Sequence, residues 1–461
     1  MTTFRRTLFG ATATVLMAGG VASHALAESL TDALAKAYGA NPTLQSARAT
    51  LRATDEGVAQ ALSGWRPSLA ATGTSSTNRT KSTTTNRDNW VDTKPRTMSL
   101  SLTQNLYAGG QTVADTSAAE NEVKAQRARL HTTEQTVLLD AATAYLNVQR
   151  DQAVLDLNRR NEEVLSRHLD ATRDRFNVGE ITRTDVHQAE SRLAGATAER
   201  IQAEGALKSS RATYANVIGE APELLEAPNL DLALPGDLSG ALAEAEDANP
   251  SIVAAAYDEK SARDSVDSTA AGLLPTVDLS ASASRALSTT TVDKYWSNGL
   301  EGKVTLNVPL YQSGSVYSQL RQAKQSASAS RLTLDQTRRD VTEGVTRAWE
   351  ELSVVRARIG SIETQVRAAE TALEGVAREA SVGSRTVLDV LDAEQELLDA
   401  RVNLVKAKRD EMVAALTLIS SVGRLTASDL GLAVDAYDPN AHYREVRGKW
   451  FGGSAGDGVG Q

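Results

Sequence analysis

Apolar residues near the end of the chain recur every seven positions, which is the spacing of helices that pack side by side. A second row of the same kind lies one residue away from the first. The first row consists of Leu391, Leu398, Val405, Met412 and Ile419, and the second of Val390, Leu397, Leu404 and Leu418. Two adjacent rows make a broad seam, which predicts a helix packed against two neighbours in a coiled-coil-like wall.

Helix-breaking residues are absent from a long part of the chain. The segment from Gln111 to Val178 contains neither proline nor glycine, the two residues that helix interiors exclude. At 1.5 Å per residue, one helix through this segment is about 100 Å long. A rod of that length exceeds an ordinary globular core, so the sequence predicts an elongated molecule.

Four short segments alternate instead between apolar and polar residues, as strands with one apolar face do. They lie at 69–73, 98–102, 277–283 and 304–310, and each strand of about ten residues has the length of a tilted strand in an outer-membrane barrel. The pattern predicts two hairpins, at about 68–106 and 276–310. Their connections, 78–95 and 288–298, are rich in Thr, Ser, Asn and Asp and are predicted to be polar loops.

Four strands are too few to close a barrel, and a sheet in a membrane must close because its edges find no hydrogen-bond partners in lipid. Association of chains is therefore expected. Two chains would contribute about 8 strands and three about 12, and both even numbers occur in outer-membrane barrels. Periodicity alone does not choose between them.

The sequence contains an internal duplication, in which the two copies are offset by 204 residues over the central part of the chain. The segment from Asn177 to Val186 reappears as Ser381 to Val390, and Leu106-Tyr107 reappears as Leu310-Tyr311. Duplication on this scale predicts a pseudosymmetric architecture. The predicted divisions are a first repeat at 28–225, a linker at 226–240, a second repeat at 241–430 and a C-terminal segment with a flexible Gly-rich tail at 431–461.

The first 27 residues have the features of a secretory signal peptide. Arg5 and Arg6 precede an apolar run from Leu8 to Val21, and Ala25-Leu26-Ala27 offers a small-residue cleavage site. Loss of the two arginines changes the formal net charge from −9 to about −11. That acidity argues against a nucleic-acid partner.

The sequence contains few residues or motifs that could form a catalytic, metal-binding or cofactor-binding site. The chain has no cysteine, which excludes disulfides, zinc–thiolate sites and lipidation at an N-terminal cysteine. Its histidines show no metal-binding spacing, and there is no Gly-rich phosphate loop or nucleophile elbow. We therefore expect neither an enzyme nor a cofactor-binding protein.

The two turns that follow the long helices resemble the signature turns of the TolC family of outer-membrane efflux and secretion channels. The turns lie at Arg175–Gly179 and Val382–Ala393, and the resemblance covers nearly the whole mature chain. It implies an α+β membrane protein: a homotrimer with a 12-stranded β-barrel in the outer membrane, continued by a long α-helical tunnel that projects into the periplasm. The linker and the C-terminal segment would wrap the tunnel's waist. Absence of a lipid-bearing cysteine resembles the non-lipidated branch of the family.

The resemblance also implies partners and a mechanism. A periplasmic adaptor protein and an inner-membrane pump of the RND type or an ABC exporter would complete the conduit, and this chain would be a passive, gated duct surrounded by outer-membrane lipid. Multidrug efflux and type I protein secretion are not separated by the sequence. The alternative from another class is a non-channel periplasmic coiled-coil scaffold.

Two aspartates in the second repeat match the acidic constriction residues of the family. Asp389 and Asp392 are three positions apart, hence on one helix face, and a trimer would gather six carboxylates around one axis. Such a ring attracts cations and repels anions. The alternative, without the family match, is a set of solvated surface charges.

The same resemblance assigns a gate tie and a docking surface. Arg385 matches the arginine that ties the inner helix pair to a Thr-Asp of its neighbour, here Thr184-Asp185. One departure is Ala380, where the family pattern places a tyrosine. The residues that match the adaptor-docking turns are Val178, Gly179, Val382 and Gly383.

Overall fold

The computed structural model describes residues 28–84, 87–228, 232–289 and 294–453 of the 461-residue chain. The predicted signal peptide at 1–27 lies outside these ranges. So does most of the predicted flexible tail, from residue 454 onward.

Four long helices dominate the molecule. Helices α3 (Gln111–Asn177) and α7 (Ser315–Ser381) have 67 residues each, and α4 (Arg183–Ile218) and α8 (Val387–Val422) have 36 each. The uninterrupted helix predicted from Gln111 to Val178 is confirmed to within one residue at its end. Each 67-residue helix is about 100 Å long.

Shorter helices precede each long pair. They are α1 (Leu30–Ala40) and α2 (Pro42–Leu62) in the first half, and α5 (Leu238–Ala248) and α6 (Pro250–Ala271) in the second. The structure starts α5 within the segment predicted to be linker, because Asp237 caps the helix by accepting a hydrogen bond from the Gly240 amide at 2.8 Å.

An Asn-Pro pair interrupts the helix in both halves and attaches it to the end of a long helix. The side-chain amide nitrogen of Asn41 donates to the Val217 carbonyl at 2.9 Å, and its side-chain oxygen caps α2 by accepting from the backbone N–H of Thr43. Asn249 does the same with the Ser421 carbonyl at 2.8 Å and the Ser251 amide. Proline suits the first helical position, where no N–H donor is needed.

The seven-residue rows of α8 form its packed seam, as predicted. Leu391, Leu398 and Ile419 are buried, and so are Leu397 and Leu418. Val405, Met412 and Leu404 are half-buried. The largest buried cluster lies at the waist, where the middle of α3 meets α1 and α2 and the last turns of α4 and α8.

A four-stranded antiparallel sheet lies at one end of the helices. Its strands are β1 (Ser68–Ser75), β4 (Arg96–Ala108), β5 (Thr276–Thr289) and β6 (Lys294–Asn307), hydrogen-bonded in that order. Strand β6 ends before the predicted limit at 310 because Pro309 has no N–H to donate. The pairing of β4 with β5 joins the two predicted hairpins into one sheet.

The predicted polar loop at 78–95 is instead mostly a two-stranded ribbon. Strands β2 (Asn78–Thr84) and β3 (Arg87–Thr93) pair with each other and with no other strand of the described chain. The prediction of a loop was wrong because nearly all residues of the ribbon are polar and its two apolar residues, Trp90 and Val91, are adjacent in sequence, so the apolar alternation that identified the other strands is absent.

Two chain segments are fastened to the outside of the waist. The Tyr145 hydroxyl, on α3, lies 2.8 Å from the carbonyl oxygens of both Glu28 and Glu226 and donates to one or the other. In the C-terminal segment, helix α9 (Ala441–Val446) packs on α2, and His442 lies 3.2 Å from the buried Asp55 carboxylate. No helix in the described ranges is both long and apolar enough to cross a bilayer.

Candidate channel entrance at the helical tips

The ends of the two long helix pairs farthest from the sheet are built alike. In the first pair, α3 ends at Asn177 and the chain turns through Gly179 at φ +83° before α4 begins at Arg183. In the second pair, Gly383 at φ +80° follows α7 and α8 begins at Val387. Glycine adopts this left-handed conformation without the steric cost that a side chain would add.

The valines that precede these glycines project into solvent. Val178 is 73% exposed and Val382 is 80% exposed. Both are apolar side chains at the tip of a turn and make no contribution to the helix seams. The structure therefore leaves the four predicted docking residues accessible, although docking itself stays a prediction.

Asp389 is part of a helix cap. Its Oδ2 accepts hydrogen bonds from the Thr386 amide at 2.9 Å and from the Thr386 hydroxyl at 2.7 Å. These bonds favour the ionised form and lower the pKa of the Asp389 carboxyl. Asp185 makes the same cap with Thr182, at 2.9 and 2.7 Å, and its pKa is lowered for the same reason.

The threonines of these caps were missed by the sequence analysis, which singled out Thr184 instead of Thr182. A Thr-x-x-Asp spacing at the start of a helix is the signal that would have found both caps. Thr184 is exposed. The caps hold one oxygen of Asp389 and one of Asp185 against the backbone and leave the other oxygen of each carboxylate outside the cap.

Arg385 lies across the turn from the end of α7. Its Nε donates to the Glu379 carboxylate at 2.9 Å, and its Nη1 is 4.0 Å from Asp389. The Glu379 contact is the main reason that the pKa of Arg385 is raised. Within one chain Arg385 has no contact with Thr184 or Asp185, so the predicted tie, which would join neighbouring chains, stays a prediction.

Two polar contacts join α8 to the first helix pair near the tips. Arg192 on α4 donates to the Asp392 carboxylate, and His168 on α3 lies 3.0 Å from the Glu394 carboxylate. Asp392 was predicted as a constriction residue, whereas Arg192, His168 and Glu394 were not identified. No sequence spacing could have found these contacts because the partners are 200 and 226 residues apart.

A small apolar cluster lies beside these contacts and completes the joint between α8 and the first helix pair. Its buried members are Leu165, Ala196 and Leu391, one from each of α3, α4 and α8. We call this cluster, with the Arg192–Asp392 and His168–Glu394 contacts, the tip latch. Any motion that carries the start of α8 away from α3 and α4 must open it.

The His168–Glu394 contact should weaken as pH rises. The contact with Glu394 is the main reason that the pKa of His168 is raised, and it outweighs the opposing effects of burial and of the nearby Arg167. A raised folded-state pKa means that the stabilisation is fully present below the ordinary histidine pKa of about 6.5 and is lost as pH rises through the higher folded value. We expect the thermal midpoint of the native protein, relative to His168→Gln, to be higher at pH 5.5 than at pH 8.5. A difference in thermal midpoint between the two proteins that stays the same at both pH values would contradict the expectation.

In the described part of the chain, no group of three or more His, Asp or Glu side chains lies together in a way that could hold a metal ion. The tips instead present ionised carboxylates, arginines and exposed valines on paired helices. Such an arrangement can select ions by charge and can offer a groove to another helical protein.

Comparison with known proteins agrees with this geometry. The sequence model of the family described as "Outer membrane efflux protein" matches residues 33–220 and again 241–424. The chain is 37% identical to the outer membrane efflux protein BepC of Brucella suis, over 97% of each chain. It is 30% identical to the outer membrane protein TolC of Escherichia coli, over 90% of this chain and 86% of TolC.

The fold is also found among solved structures. The outer membrane protein VceC of Vibrio cholerae superposes with a TM-score of 0.72 at 22% identity, covering 86% of this chain and 96% of that one. At that identity the likeness concerns the fold. Together with the two matches to the family model, it leads to one conclusion: this chain belongs to the outer membrane efflux protein family.

Proposed function

We propose that three copies of this chain join into a 12-stranded barrel and a 12-helix tunnel, which form the outer-membrane duct of an efflux or secretion system. The family confirms the predicted outer-membrane location and efflux role. The trimer, the closure of the barrel and the pseudo-two-fold repeat are parts of the proposal. Each chain would supply four strands and the four long helices α3, α4, α7 and α8.

The observation that carries this proposal is the open four-stranded sheet. Strands β1 and β6 lie at its edges, each with one side unpaired in a single chain. One face is apolar and exposed: Met98 is 73% exposed, Val304 is 64% exposed and Leu300 is 90% exposed. Such a sheet is stable in lipid only when its edges pair with other copies and its apolar face meets the acyl chains.

The proposed gate lies at the helical tips. Asp389 and Asp392 would form the acidic rings, and Arg385 would tie each inner helix pair to Thr184-Asp185 of the neighbouring chain. The lowered pKa of Asp389 supports a ring that remains ionised at neutral pH. In the resting state the Arg192 partner would hold Asp392, and opening of the tip latch would release it.

The partners would dock at the exposed turns. Val178 and Val382 offer apolar side chains beside glycines that leave the backbone accessible, which suits a helical hairpin of a periplasmic adaptor. The driving energy would come from an inner-membrane RND-type pump or ABC exporter. The chain itself would act as the passive exit.

The test of the acidic rings is single-channel recording in planar bilayers with the double substitution Asp389→Asn, Asp392→Asn. Asparagine keeps the shape and capping ability of Asp389 but removes six charges from the trimer. We expect a cation-selective native channel that trivalent cations block, and a block weakened about tenfold or more in the variant because the local negative potential is lost. The matched control is Asp170→Asn, Asp174→Asn, which removes exposed carboxylates from α3.

Unchanged block in the double variant, or equal weakening in the control, would contradict the assignment of the rings. Absence of conductance from a folded, membrane-extracted native protein would instead favour the alternative of a non-channel periplasmic scaffold. Detergent-resistant trimers in outer-membrane fractions would count against that scaffold.

A further inference from the structure

The register of the sheet places every second residue of each strand on one apolar face. In β5 these are Val277, Leu279, Ala281 and Ala283, and their direct partners in β6 are Leu306, Val304, Gly302 and Leu300. Directly paired residues share a face. In the proposed barrel this face meets lipid, and the opposite face, with Ser280, Ser282 and Ser284, lines the lumen.

Aromatic residues mark the two limits of this face. Tyr107 pairs with Val277 at the end near the helices and is 46% exposed, and Trp296 pairs with Leu287 at the other end and is 55% exposed. The eleven residues from Val277 to Leu287 span about 33 Å along the strand. At a tilt of about 40° this corresponds to about 25 Å of height, the thickness of the apolar band in outer-membrane barrels.

Two arginines lie on the same face at the limit away from the helices. Arg285 directly opposes Met98, and Arg96 directly opposes Leu287, so the two arginines are diagonal neighbours about 7–8 Å apart. Both side chains are exposed. The Arg285 guanidinium stacks on the Trp296 ring, 4.5 Å from its centroid. Among the residues that the structure describes, no carboxylate pairs with either arginine.

A shallow groove crosses the sheet at the level of Arg285. Its lining comes from all four strands and includes Ala283 between the larger Leu100 and Leu300, with Arg285 and Asn298 next to them. Ala283 is smaller than the leucines that flank it, so the apolar face is lowest there, and the Arg285 guanidinium presents donors where the apolar band stops. The combination of an apolar groove and a cationic group beside it matches a lipid with an anionic head group.

We propose that Arg285 and Arg96, with Trp296, form a binding site for the phosphorylated head group of an outer-leaflet lipid, whose acyl chain lies in the groove over Ala283. The site rests on the proposed barrel, because the end of the sheet away from the helices faces the outer leaflet only in that arrangement. Guanidinium groups bind phosphate through two parallel hydrogen bonds. Stacking on Trp296 holds Arg285 at the interface and restricts it to the orientations that reach a head group.

The proposal is tested with bis-phosphorylated lipid A as the probe and the same lipid without its phosphates as the comparison. Binding to the purified protein in detergent is measured for the native chain and for Arg285→Gln, Arg96→Gln. The control is Lys303→Gln, which removes a cation from the opposite face of β6, paired with Ser280. The single-channel conductance of each protein is also recorded in phosphatidylcholine bilayers. A failure to form channels is then distinguished from a failure to bind the lipid.

We expect the native protein and Lys303→Gln to bind the phosphorylated lipid more tightly than its dephosphorylated form, and the double arginine variant to lose about tenfold or more in affinity for the phosphorylated lipid alone. Equal affinity for both lipids, or an equal loss in the lysine control, would overturn the site while normal conductance leaves the channel proposal intact. Competition by inorganic phosphate at similar concentration would show a free-anion site and would also overturn it. Failure of every variant to conduct would overturn the barrel and the site together.

Discussion

Breaking the polar contacts of the tip latch is expected to open the channel at rest. The variant is Arg192→Ser combined with Glu394→Gln, which removes the Asp392 and His168 contacts in each chain. Ion pairs that are at least partly exposed contribute about 0.2–1 kcal/mol each. In a trimer that opens as a unit, the loss of two contacts per chain at about 0.5 kcal/mol each sums to about 3 kcal/mol, which raises the open-to-closed ratio by about a hundredfold.

The measurement is single-channel conductance and mean open time at neutral pH, in the same bilayers as the native protein. The matched control is Arg347→Ser, which removes an exposed arginine whose carboxylate partner, Glu343, lies one turn earlier on the same helix, α7. That contact does not bridge to α8, so the control should conduct as the native protein does. An unchanged conductance in the latch variant would show that these contacts do not restrain α8.

Arg385→Ser separates the two restraints that have been assigned to the gate. The predicted tie joins neighbouring chains through Arg385, whereas the latch acts within one chain. We expect the conductance of Arg385→Ser to rise as well, and the rise to add to that of the latch variant if the two restraints are independent. A latch variant that is fully open, with no further change on adding Arg385→Ser, would indicate that the latch alone holds the tip closed.

Tyr145→Ala is expected to produce the largest loss of stability at the waist. The ring is fully buried in the main apolar cluster, and removing a buried aromatic ring leaves a cavity that costs about 3–5 kcal/mol. The loss also frees the segments at Glu28 and Glu226 that the hydroxyl fastens to α3. Burial is the main cause that raises the pKa of Tyr145, so its hydroxyl stays protonated and able to donate throughout the neutral range.

The comparison variant is Tyr145→Phe, which keeps the ring and removes one donor, at an expected cost of about 1 kcal/mol. Both variants are unfolded with guanidinium in detergent and followed by the helical circular dichroism signal. Protein concentration is held constant because the stability of an oligomer depends on it. Equal losses in the two variants would assign the effect to the hydroxyl rather than to the packed ring.

The local features of this protein were determined by the sequence itself. A helix interior excludes proline and glycine, so the 67 residues of α3 could be predicted to within one position. The seven-residue rows of α8 predicted its seam, and the period of two predicted the strands of the apolar sheet. These patterns can be recognised in the sequence because each reflects a burial environment that repeats regularly along one helix or strand.

The ribbon of β2 and β3 has no such periodic pattern. Strands β2 and β3 pair through their backbones although their residues are mostly polar and do not alternate with apolar ones, so their sequence gives no period to detect. The cap at Asp389 is different, because Thr386 and Asp389 are three positions apart. That contact is local, so its spacing is present in the sequence and is enough to predict it.

The joints between the two halves of the chain were decided only by the tertiary structure. His168 meets Glu394 and Arg192 meets Asp392 because α8 packs beside α3 and α4, which the spacing within any one helix does not specify. The alignment of Arg96 with Arg285 likewise depends on the register between β4 and β5. Periodicity states which side of an element is buried, whereas the identity of the element that covers it follows from the packing of the whole chain.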